Sequence, residues 1–80
     1  MNITEYKALM MLELLMCNHD LSNHNYAAVD EDGELCVYIL YPETSGHESY
    51  WYPCGSDDGY FITIGTMKEP DNYREAIIQI

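Results

Sequence analysis

Residues 3–18 contain no Gly or Pro and space their apolar side chains at a helical period. Asn2 stands just ahead of this run, with Glu5 three residues on. That pairing is the Asn variant of a capping box and marks a helix start. Wound as a helix, Ile3, Tyr6, Met10, Leu14 and Cys17 form one stripe. Ala8, Met11, Leu12 and Leu15 form a second stripe on roughly the opposite side, with Glu5, Lys7 and Glu13 in the seams. A surface helix has one apolar face, and a helix apolar nearly all round is buried on several sides. The two stripes therefore predict that one packs on the chain's own sheet. The other, Ala8, Met11, Leu12 and Leu15, is expected to form a homodimer interface.

The pattern then changes to a period of two. After a polar loop over 18–25, residues 26–29 read as a short strand. Residues 30–33 (Asp-Glu-Asp-Gly) read as a turn whose Asp32-Gly33 pair is the hairpin signal. Residues 34–41 alternate, with Leu35, Val37, Ile39 and Tyr41 on one face and Cys36, Tyr38 and Leu40 on the other. A loop over 42–48, an aromatic strand over 49–52 and a second acidic turn over 53–59 follow. Residues 60–65 set Ile62 and Ile64 against Phe61 and Thr63. In the tail, Pro70, Asp71 and Glu75 suit a short helix, whereas 76–80 also suits an edge strand. The expected fold is α+β in one domain, 1–80. An N-terminal helix packs on a three- to four-stranded antiparallel meander, and the chain ends in a short helix or edge strand.

Charge sharpens this picture. The chain has 14 acidic residues against 3 basic ones, a net charge of −11. No Lys or Arg occurs between Ala8 and Met67. This balance excludes direct binding of nucleic acid or an anionic membrane, both of which require positive charge. An apolar share of 48% also excludes a disordered acidic tail. In a meander, alternate turns share one end of the sheet. Asp30, Glu31, Asp32, Glu34, Asp57 and Asp58 are therefore expected together, flanked by Tyr26, Tyr52 and Tyr60. Such a surface resembles a few backbone phosphates in charge density, and Tyr suits interfaces. The competing reading is solvated surface that serves solubility.

Other chemistry is weakly represented. Asp30-x-Asp32-Gly33-Glu34 begins like a calcium loop, but its twelfth position is Tyr41 rather than the required Glu. Cys17, His19, His24, Cys36 and Cys54 lack the paired spacing of a zinc site. Ser22 with His19 and Asp20 is the one local trio, and no nucleophile elbow is present. No catalytic residue, metal or cofactor is expected. Residues 3–17 are broken by charges and no run reaches about 18 apolar residues, so neither a signal peptide nor a membrane span is expected. Three Cys without a staple pattern point to reduced thiols in the cytoplasm.

The acidic chain, the helix opening Met-Asn-Ile and the hairpin turning at Asp-Glu-Asp-Gly resemble, over residues 1–40, small phage-encoded inhibitors of the anti-CRISPR and anti-restriction type. The resemblance implies a non-enzymatic inhibitor acting in the host cytoplasm. Its partner would be a basic nucleic-acid-binding protein or nuclease complex. Acidic immunity proteins of nuclease toxins are a neighbouring class. A small homodimeric structural or regulatory domain is the alternative.

Overall fold

The computed structural model describes residues 1–44, 46, 49–53 and 61–80. The helix is α1, Ile3–Met16, and its capping box is complete: Asn2 accepts from Glu5 N, and the Glu5 carboxylate accepts from Asn2 N. It ends two residues earlier than expected, with Cys17 already extended as its C-cap. The strands are β1 (Tyr26–Val29), β2 (Glu34–Tyr38), β3 (Glu43–Thr44), β4 (Trp51–Tyr52), β5 (Phe61–Thr66) and β6 (Ile77–Gln79). A 3-10 turn, Tyr73–Glu75, precedes β6. The tail therefore contains both expected elements in succession.

The main sheet is antiparallel with strand order β5-β2-β1-β6. Three of its strands run as the expected meander, and β6 crosses back to lie beside the first, as in a Greek key. Two expectations are corrected. Residues 49–52 are not a strand of this sheet. Only Trp51 and Tyr52 are extended, and they pair with Glu43 and Thr44 in a separate two-stranded sheet. The strand begun at Glu34 ends at Tyr38 rather than Tyr41, because Asn25 closes its end. Asn25 N donates to Tyr38 O at 2.9 Å and Asn25 Nδ2 to Ile39 O at 3.0 Å.

Both faces of the sheet are apolar, and each has its own cover. Ala27, Val29, Leu35 and Val37 meet Tyr6, Met10 and Leu14 of α1, with Ile62, Ile64 and Ile78 at the margin. The first stripe therefore packs on the sheet as expected. On the other face Ala28, Cys36 and Tyr38 meet Trp51 and Tyr73, with Tyr26 and Ile77 beside them. Trp51 fixes this second layer. Its Nε1 donates to Val29 O and Tyr73 O, both at 3.1 Å, and its ring meets Tyr73 edge-on.

The β1–β2 turn is a three-residue loop. Gly33 N donates to Asp30 O at 2.9 Å, and Gly33 adopts φ +92°, open to glycine at no steric cost. Gly33 also carries the contact that brings the chain after β5 back to this turn: Met67 N donates to Gly33 O, and a Cβ on Gly33 would run into Met67 O. Gly33→Ala is thus expected to combine left-handed strain with a backbone clash. It should destabilise the fold by roughly 3 kcal/mol, readable as a drop of roughly 10–20 °C in Tm. A melting curve close to wild type would show that the turn and the Met67 segment are not clamped.

Candidate functional site: the acidic end of the sheet

The turn over 30–34 presents four carboxylates, and they divide by partner. Asp30 is half-buried beneath the second sheet, where its Oδ1 accepts from Trp51 N at 2.7 Å. Asp32 accepts from Glu34 N at 3.0 Å, and Glu34 accepts from Thr63 Oγ1 at 3.3 Å. Glu31 and Asp32 are exposed. Burial pushes the Asp30 carboxyl up to about 6, and the neighbouring Asp32 and Glu34 charges add to this, while the Trp51 N–H opposes it. Asp30 is therefore a structural acceptor, a role that its place in an acidic turn did not suggest.

The surroundings of the turn differ from those expected. Asp57, Asp58 and Tyr60 lie outside the described residues. The alternate-turn argument that groups the first two with Asp30 takes residues 49–52 as a strand of the main sheet, whereas Trp51 and Tyr52 pair with Glu43 and Thr44 instead. The chain segments brought beside the turn are 49–50 and 67–69. Asp30, Glu31, Asp32, Ser49, Tyr50 and Glu69 line one cleft of about 250 Å³. A second cleft, of about 180 Å³, lies between the start of α1 and residues 68–75, and its wall includes Glu69, Asp71, Glu75 and Lys68. Glu69 borders both. Glu31, Asp32, Glu69, Asp71 and Glu75 are all exposed and follow one another around this end of the molecule. In the sequence, Asp71 and Glu75 suit a tail helix and Glu69 carries no local signal. Their placement follows from the Gly33–Met67 contact, which no local pattern encodes.

Two of the expected Tyr anchors are partly inside. Tyr26 packs against the second core cluster and meets Tyr41 edge-on at 5.2 Å, and Tyr52 is half-buried. Tyr50, which the sequence did not single out, is exposed at the cleft. On α1, the second stripe of Ala8, Met11, Leu12 and Leu15 is exposed throughout.

The same packing places the candidate ligands and nucleophiles. Among the described residues, Asp30, Glu34 and Cys36 bring potential ligand atoms within 4.8 Å of one another. Burial pushes the Cys36 thiol up to about 11, so an ion bound there would have to displace its proton. Its Sγ already lies 3.4 Å from Thr63 Oγ1. Asp20 accepts from the Ser22 backbone N at 3.0 Å, and that contact holds its carboxyl below the usual range. This is a turn contact rather than the relay of a triad. Cys17 and Cys36 are free thiols, and Cys54 lies outside the described residues. No helix among the described residues is long and apolar enough to cross a membrane.

No protein-family model, no curated protein and no solved structure matches the chain.

Asp30 generates a pH prediction. Its carboxyl is raised in the folded state, so its protonated form contributes stability that is full below about pH 4, near the unfolded value. That stability is lost as pH rises through about 6. Wild-type Tm is expected to fall across this window. Asp30→Asn keeps the acceptor for Trp51 N and should flatten that limb, leaving the variant a few degrees more stable at neutral pH. Parallel Tm profiles for the two proteins would show that Asp30 titrates as a solvated acid.

Proposed function

We propose that the chain is a non-enzymatic inhibitor that docks its acidic end on a basic, nucleic-acid-binding protein, in the manner of anti-CRISPR and anti-restriction proteins. Glu31, Asp32, Glu69, Asp71 and Glu75 stand in for backbone phosphates, and Tyr50 supplies a flat contact beside them. One observation carries this reading: Glu69 borders both clefts and joins the turn acids to those of the closing segment in a single strip. The net charge of −11 supports it, since a basic partner would be drawn in by long-range attraction. A target of this kind places the inhibitor in the cytoplasm of the cell it acts in. Asp30, which accepts from Trp51 N, and Glu34, which accepts from Thr63 Oγ1 on β5, are assigned to the fold rather than to the partner.

The test is competition. Immobilised chain is exposed to a host lysate at low and high salt, and duplex DNA is added as competitor. Proteins retained at low salt and displaced by the DNA are the expected result. The variant Glu31→Gln, Asp32→Asn, Glu69→Gln should bind such a target roughly tenfold more slowly at low salt, with a flatter salt dependence. It should melt no lower than wild type. Retention insensitive to DNA, or a variant that binds as fast as wild type throughout the salt series, would remove the phosphate-mimic role.

A further inference from the structure

We propose that two copies of this chain dimerise antiparallel through the outer face of α1, with Ala8 of one copy against Leu15 of the other and Met11 against Leu12. This does not rest on the acidic-strip reading.

The face is apolar and open. Ala8, Leu9, Met11, Leu12, Leu15 and Met16 are all exposed, with Leu12 at 50%, Met16 at 68% and Leu15 at 79%. Together they present apolar surface on the order of 500 Å², the upper range for the largest patch of a monomer. Doubled across a two-fold axis, it has a ceiling of roughly the 1,000 Å² at which specific interfaces begin. The charges nearby stand aside. The Glu5 carboxylate is turned back onto Asn2 N at 3.2 Å, and the helical period sets Lys7 and Glu13 on the flanks.

Three features select a second copy as the occupant. Positions 8, 11, 12 and 15 read the same from either end. A two-fold axis through the midpoint between 11 and 12 carries 8 onto 15 and 11 onto 12. That operation sets the smallest side chain of the stripe, Ala8, opposite the most exposed, Leu15, so that small meets large. A parallel pairing would set Ala8 against Ala8 and leave a gap. Charge is the second feature. Residues 1–18 carry only −1 of the chain's −11, so two copies repel least when they meet through the helix. Helix direction is the third. The last turn of α1 holds no basic residue, and the antiparallel register sets Lys7 of the other copy level with that negative end.

Sedimentation equilibrium of the full chain across the micromolar range tests this. Wild type is expected to be dimeric. Leu15→Glu should be monomeric with an unchanged melting curve at low concentration, because Leu15 faces solvent in the single copy. Ala8→Leu and Leu15→Ala should each weaken dimerisation roughly tenfold, and the double exchange should recover most of that loss, because it restores small against large. The recovery separates a register-specific contact from misfolding, which a second substitution would deepen. Wild type monomeric at the top of the range would overturn the proposal. So would dimers undiminished by Leu15→Glu, which would assign association to another surface such as the edge strand β5. A double variant no better than either single one would rule out the pairing of 8 with 15.

Discussion

The indole of Trp51 closes the second face of the sheet, and much of the molecule follows from that closure. An 80-residue chain with one helix can cover only one side of a four-stranded sheet with it. The other side carries Ala28, Cys36 and Tyr38 and requires a separate cover. Trp51 meets this demand with one N–H shared between Val29 O and Tyr73 O, which ties β1 to the segment that leads into β6. Aromatic residues suit the task because each buries a large area with few rotatable bonds. The partial burial of Asp30 is a consequence. Once Trp51 is seated, its backbone N–H needs an acceptor, and the carboxylate at the start of the turn supplies it.

Local signals made the first half of the chain legible. The capping box at Asn2 and Glu5, the two helical stripes and the Asp32-Gly33 turn are each encoded within a few residues, and each is present in the fold. The alternation in β2 was also legible, but its end was not. Ile39 and Tyr41 continue the apolar period beyond Tyr38, and β2 is buried on both faces, so periodicity holds no stop signal there. Asn25, thirteen residues before Tyr38, supplies the stop. The aromatic run at 50–52 read as another strand for the same reason: Trp and Tyr suit a pleated surface, and their role here depends on Val29 and Tyr73, far away in sequence.

The candidate site was legible as a composition and not as a map. Glu31 and Asp32 were identifiable because an acidic turn between two strands must reach the surface. Glu69, Asp71 and Glu75 were not, because they join that surface through the contact of Met67 with Gly33. A positive-φ glycine signals a turn, but nothing in the sequence states which backbone will lie against it. Asp30 illustrates the converse. Its residue type and neighbours suggested solvent, and a tryptophan from another segment drew it inward.

The acids themselves separate into two groups. Asp20, Asp30 and Asp32 each accept a hydrogen bond from a backbone N–H, of Ser22, Trp51 and Glu34 respectively. The Asp20 and Asp32 bonds hold local chain turns in place, as short polar side chains commonly do, and the Asp30 bond ties its turn to the segment of Trp51. An amide side chain could fill the same positions, so the negative charge there is incidental to the geometry; at exposed Asp32, unlike half-buried Asp30, that charge is left to act outward beside Glu31. Among the described residues, no backbone N–H is bonded to the carboxylates of Glu31, Glu69, Asp71 or Glu75. Their side chains lend nothing of this kind to the turns, and exposed like charges held near one another repel, by up to about 1 kcal/mol per close pair in water. Charge with no role in holding the chain, kept together at one end, acts outward on whatever approaches. The difference between these two groups, more than the total of −11, is the reason to look for the partner at the strip that runs from Glu31 through Glu69.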